Sequence, residues 1–462
     1  MVAGDVRERL RRWAIALDVL VLLLAVILVR AWLVPGYRIT FTPDLRLSLT
    51  SWPRIALWLA VVLGIRYWLF RDEPFHARMI AWWRAIRSWE PLRAAWGPFI
   101  VSRVMVPVIA FLAVVMIGYA VPRAHRPLEN DFLDLYTRWD GGWYFSIASV
   151  GYPTTFNPEG RSSIAFFPGL PMLMRATGKL LDVNLWVAGA MVVGVAFLWG
   201  LIYVYRLARL DIGADEAKAS VLFLAFYPFA VCYSVILTEA LFLLAAAAAF
   251  FHFRRSQWWA AAAFGCFAGL LRPNGSLLAV PLGILALGSL VNRDWRRFFT
   301  QGVVASFPVL GMLAYALYVR ALVGDPFAWV KAQQAWGRRP YEILNIIHAR
   351  RELIASTDVM TYVKSFPAEV VEGVAALLAL AMVWPIFKRF GLAYAVFVAS
   401  AILPPLISMG PVSLGRYSAP LFPIFLLLGA VVPAAHRPYW AAVFAAGQAL
   451  VAVLFFTGRP PY

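Results

Sequence analysis

Apolar runs of about 18 to 25 residues recur from one end of the chain to the other, and that is the length a helix needs to cross a bilayer. Composition agrees: the 462 residues are 62% hydrophobic and 14% charged, where a soluble domain carries roughly 25% charge. The first run, 13–34, follows the basic "RERLRR". Its apolar core is longer than that of a signal peptide and no small-residue cleavage site follows, so it is expected to stay as a span.

Further spans are expected at 52–70, 98–121, 183–208, 219–236, 237–254, 257–271, 273–291, 301–321, 367–387, 391–408, 418–435 and 439–457. The expected fold is therefore all-α and polytopic, with about 11 to 13 transmembrane helices. Basic clusters such as "RLARL", "HFRRSQ", "NRDWRRFF" and "FKRF" fall at one set of run ends, which the positive-inside rule assigns to the cytoplasm. The two long non-spanning stretches, 122–182 and 322–366, then share the outer face.

Two segments read as interfacial helices. One is 71–97, with "ARMIAWWRAIRSWE", for which a plain connector is the other reading. The other is 163–182, apolar but interrupted by Pro168, Gly169 and Pro171, and better suited to lie at the interface or re-enter than to span. Segment 71–97 also sets two leading spans apart, dividing the chain into an appendage, 1–97, and a core, 98–462.

Several function classes drop out. The net charge of +18 belongs to the cytoplasmic ends of spans, and no soluble basic domain exists to bind nucleic acid. Cys232 and Cys266 lie in apolar runs with neither metal nor disulfide spacing. The five histidines are scattered, so no metal is expected, and no nucleotide-cradling glycine loop calls for a cofactor. No internal repeat is visible, although a transporter or flippase of lipid-linked sugars, the competing reading, would normally show two related halves.

What remains is polar chemistry on the outer side. In "RWDGGWYFSIASVGYP", Asp140 sits near the membrane surface between apolar segments. A carboxylate there suits removal of a proton from an acceptor hydroxyl, with Gly141 and Gly142 leaving room for a bulky substrate. It equally suits a helix N-cap. Asp131 and Asp134 read as solvated loop acids. Arg272 at an outer run end either snorkels or grips a phosphate bidentately. Glu239, opening a span, is of the rare intramembrane ionisable kind that is functional or paired. Arg416 and Tyr417 mark another outer turn, while Lys331, Gln334, Trp336, Arg338 and Arg339 lie on the second outer loop, where a solvated amphipathic helix is the plainer reading. One acid among several cations is what transfer from a lipid-linked phosphate requires: a base for the acceptor, and positive charge for the leaving group.

These stretches resemble the PIG-V-like mannosyltransferase family, within the GT-C membrane glycosyltransferases. "RWDGGWYFSIASVGYP", "IAFFPGLPMLMR", "YSVILTEALFLL" with "AGLLRPNG", "GDPFAWVKAQQAWGR" and "SLGRYSAPLFPIFLLLG" occur in the family's order over about residues 98 to 435. The resemblance implies a GT-C fold and inverting transfer of a sugar, mannose in this family, from a polyprenyl-phosphate donor to a hydroxyl of a lipid or glycan acceptor on the non-cytoplasmic face. It makes Asp140 the base. Arg138, Arg272 and Arg416, with Lys331 and Arg338 as weaker candidates, would hold the donor phosphate. Trp139, Tyr144, Glu239 and Tyr417 would contact substrate. One departure stands out: many relatives carry His before the motif tyrosine, where this chain has Trp143.

Overall fold

The computed structural model describes residues 2–33, 38–40, 46–48, 51–120, 128–337, 342–410 and 413–459. It divides into two compact units, Met1–Leu92 and Arg93–Tyr462. Among the described residues it is helical apart from one antiparallel pair, Arg38–Thr40 with Arg46–Ser48, in which Arg38 faces Ser48. That pair is a small departure from the expected all-α chain.

In the first unit the helices Val2–Leu33, Trp52–Leu69 and Phe75–Ser88 are tied by a buried ionic knot. Asp18 Oδ1 accepts from Arg66 Nε at 2.6 Å and Oδ2 from Arg78 Nη1 at 2.8 Å. Arg66 also donates to the carbonyls of Phe70 and Glu73. A charge taken out of water needs this degree of pairing.

In the second unit the helix Glu239–Arg254 runs through the interior. Its run from Ala245 to Ala249 is wholly buried, and the absence of bulk lets Leu185–Ala208 and Trp258–Leu271 close on it from two sides. Trp258–Leu271 meets Trp295–Val323 even more closely. A Cβ on Gly269 would strike the Pro308 carbonyl, and one on Gly311 the Cys266 carbonyl. Backbone lies on backbone there, so Gly269→Val is expected to cost about 1–3 kcal/mol or more through forced separation. Thermal unfolding of the purified variant in detergent checks this.

Among the described residues seven helices are long and apolar enough to cross a membrane, and an integral membrane protein follows: Arg12–Trp32, Glu90–Ile117, Leu185–Ala208, Pro273–Val291, Trp295–Val323, Glu369–Phe390 and Ala434–Phe456. Ala214–Phe226 and Pro228–Ser234 are long and apolar enough only when taken together, and a bend of 73° between them makes the pair either a broken span or a re-entrant loop. Three shorter apolar helices, Trp258–Leu271, Leu392–Ser408 and Phe422–Val431, accompany them.

The differences from the expected spans have physical causes. The run 219–236 breaks at Pro228, which cannot donate the hydrogen bond a continuing helix requires. The run 237–254 becomes a helix of 16 residues, sheathed by protein and so under no demand to match bilayer thickness. The third span starts at Glu90, ahead of 98, because Pro98 is accommodated inside the helix. Segment 163–182 supplies the short helix Gly169–Leu181 of 13 residues. The outer stretch 322–366 contributes Ala328–Gln334, Glu342–Ser356 and Val359–Ser365.

Candidate active site

The turn that presents Asp140 is strained. Trp139 has φ 57°, in the left-handed region, which costs a residue with a Cβ roughly 1–2 kcal/mol. Its indole is fixed elsewhere: Nε1 donates to the Phe455 carbonyl at 3.3 Å and the ring sits edge-on to Phe455. The kink thus sends Trp139 one way and Asp140 the other. Asp140 occupies the N-cap position of Gly141–Val150, yet its side chain makes no capping hydrogen bond. The capping reading therefore fails, and the carboxylate is directed to a partner far along the chain.

That partner is Arg416, on the short helix Leu414–Ser418. Its Nη1 donates to Asp140 Oδ2 at 2.8 Å and its Nε to Glu239 Oε1 at 2.5 Å. Glu239 Oε1 accepts again from Arg272 Nη2 at 2.5 Å. Arg272 also donates to Thr238 Oγ1 and lies over the Phe242 and Tyr417 rings. The result is one row of alternating charge: Asp140, Arg416, Glu239, Arg272. Burial alone would lower the Arg416 pKa, but the Glu239 and Asp140 carboxylates outweigh it and hold it well above the ordinary value.

Asp140, Arg272, Arg416, Tyr144 and Tyr417 line one cavity of about 430 Å³. Burial, reinforced by Asp140, raises the Tyr144 hydroxyl above the tyrosine range, so it stays protonated and able to donate. Phe166 and Trp336 form the aromatic wall, with Trp143 stacked on Phe166 at 5.6 Å and edge-on to Trp336 at 5.3 Å. The residue at which this chain departs from the family pattern thus supports that wall. Met312, Pro404 and Pro405 make the cavity's flank apolar.

Three of the lining residues carry a buried N–H with no partner among the described residues: Arg272 Nη1, Trp329 Nε1 and Trp336 Nε1. An unmet buried donor costs about 1–3 kcal/mol, so a ligand rich in acceptor oxygens fits this cavity. Among the described residues there is no cluster of three or more His, Cys, Asp or Glu side chains that could hold a metal ion.

The structure does not bring every expected residue here. Arg138 is buried away from the cavity lining, donating to Asp134 Oδ2 at 3.2 Å and the Tyr119 hydroxyl at 2.7 Å. Asp134 is accordingly no solvated acid: it is 1% exposed, drawn inward by an arginine one helical turn away. Trp139 packs on Phe455, and Gly141 lies against Trp186 and Ile236, so neither faces the cavity. Lys331 pairs with Asp325 at 2.7 Å, 54% exposed and outside the lining; that bond holds Asp325 below its ordinary pKa. Arg338 lies outside the described residues. Sequence reading passed over Phe166, Trp329 and Gln333, whose apolar or loop settings carry no signal of a ligand wall.

Fold and site together define a helical membrane protein with an acid and two arginines beside an apolar-flanked cavity. Residues 113–318 match the family model described as Mannosyltransferase (PIG-V), so the likeness read from the motifs holds, over a stretch that includes Asp140, Glu239 and Arg272 and stops short of Arg416. No curated protein matches the sequence. Among solved structures, the chain is similar to the oligosaccharyltransferase of Archaeoglobus fulgidus in complex with Zn and sulfate, at 16% identity and TM-score 0.43, over 78% of this chain and 53% of that one. It is similar also to ArnT from Cupriavidus metallidurans bound to undecaprenyl phosphate, at 15% identity and TM-score 0.42, over 79% and 76%. The chain thus spans about half the length of the archaeal enzyme.

Proposed function

We propose that this protein transfers a sugar, mannose by its family likeness, from a polyprenyl-phosphate donor to a hydroxyl of a lipid or envelope glycan. The carrying observation is the Asp140–Arg416 contact of 2.8 Å on the wall of an apolar-flanked cavity. The acceptor hydroxyl gives its proton to Asp140 as its oxygen bonds to the sugar's anomeric carbon. The bond from that carbon to phosphate oxygen breaks on the opposite side, so configuration inverts, and the electron pair leaves with the lipid phosphate.

The charge row supports a timing for this step. In the resting site each arginine is matched by a carboxylate. Protonation of Asp140 cancels one of them, freeing Arg416 just as negative charge builds on the departing phosphate. Arg272 Nη1 would supply a further donor to that phosphate, and the cavity's apolar flank would take the proximal isoprenoid. Trp329 and Trp336 would offer N–H groups to sugar hydroxyls. The basic run ends support placing this chemistry on the non-cytoplasmic face.

The test is transfer by the purified protein from a panel of polyprenyl-phosphate sugars, with mass analysis of the product. Transfer from the mannose donor is the expected result; movement of intact lipid-linked sugar across a vesicle without transfer would overturn the proposal. In the same assay Lys331→Ala is expected to leave turnover within about twofold, since an exposed ion pair contributes little.

A further inference from the structure

A second cavity, of about 350 Å³, shares no lining residue with the first. It lies among the helices Glu90–Ile117 and Leu185–Ala208, the segment Pro228–Ser234, and the outer stretch that carries Phe132 and Tyr136. Phe99, Phe132, Trp186, Met191 and Tyr233 make it apolar. Into this setting projects one cation, Arg103.

Arg103 differs from Arg272 and Arg416 in having no carboxylate partner among the described residues. Nη1 donates to the Ala230 carbonyl at 3.1 Å and to Ser234 Oγ at 2.7 Å. Its guanidinium carbon rests 4.6 Å from the Phe197 ring centre. Nη2 is buried and has no hydrogen-bond partner among the described residues. An arginine within a candidate span is expensive unless something neutralises it, and neutral oxygens and a ring face do not remove its charge.

We infer that this cavity binds an anionic phospholipid, with a phosphate oxygen on Arg103 Nη2 and an acyl chain in the groove between Phe99 and Met191. Charge selects the occupant: an uncompensated guanidinium favours phosphate over any neutral ligand, and the apolar walls favour a chain over free phosphate. The site would also feel the reaction centre. Tyr136, which lines it, accepts at its carbonyl from the Ile236 N–H at 3.2 Å, and Thr238 and Glu239 follow just beyond Leu237. The ring of Trp186, another lining residue, faces Gly141, next to Asp140, closely enough that a Cβ on that glycine would meet it at 3.6 Å. An occupant therefore braces the back of the turn that holds the carboxylate.

The test is native mass spectrometry of the full-length protein, purified from nanodiscs containing either phosphatidylcholine alone or phosphatidylcholine with phosphatidylglycerol. The protein is expected to keep one phosphatidylglycerol through delipidation. Arg103→Met should weaken retention about tenfold, the loss of one charge-assisted hydrogen bond. Gly194→Leu should do the same by filling the groove: a Cβ there meets open space and leucine favours a helix, so this variant tests the site even where Arg103→Met misfolds. Asp140→Asn should retain the lipid fully, which separates this site from the proposed transferase chemistry. Unchanged retention in a folded Arg103→Met or Gly194→Leu protein, or equal retention of phosphatidylcholine, would overturn the inference.

Discussion

Asp140→Asn is expected to lower transfer roughly a hundredfold to ten-thousandfold, the range that a positioned general base contributes. Affinity for the donor should remain close to that of the parent protein. The asparagine keeps an oxygen for Arg416 to donate to, so the geometry of the turn survives while the basic lone pair is lost. Asp140 is 29% exposed in its side chain, so the fold depends little on its charge. Turnover by Asp140→Asn within a few-fold of the parent would remove the base from the scheme.

Glu239→Ala is expected to act on stability first. Glu239 is wholly buried and its Oε1 accepts from both Arg272 and Arg416. Removing it strands two guanidinium groups against one remaining acid, a class of change that costs about 3–5 kcal/mol. The purified variant should unfold at a markedly lower temperature in detergent. Glu239→Gln should fall between the two, because its amide oxygen still accepts although the charge is gone. A Glu239→Ala protein as stable as the parent would mean that the charge row does not hold the site together.

The charged residues of the cavity were more legible in the sequence than the membrane crossing pattern. Asp140, Arg272 and Arg416 could be singled out because ionisable groups beside apolar runs are costly and seldom idle, and the structure brings all three to one cavity. Pairing was not legible: that Glu239 would hold both arginines depends on contacts across 33 and 177 positions. Arg138 misled for a local reason, since Asp134 one turn earlier was at hand to capture it. Hydropathy also cannot separate lipid burial from protein burial. Glu239–Arg254 is apolar because other helices surround it, and the same alanine and phenylalanine content reads as a span. Phe166 and Trp329 escaped notice, and Trp336 read as part of a solvated loop helix, because aromatic residues near a membrane interface are common.

The most direct measurement is a structure of the protein in lipid nanodiscs with a non-transferable polyprenyl-phosphate mannose analogue. The phosphate is expected within hydrogen-bonding distance of Arg272 and Arg416, with the sugar's anomeric carbon on the Asp140 side and the mannose ring against Trp336. A phosphate bound remote from both arginines, or a sugar whose anomeric carbon an oxygen held by Asp140 could not reach, would contradict the account.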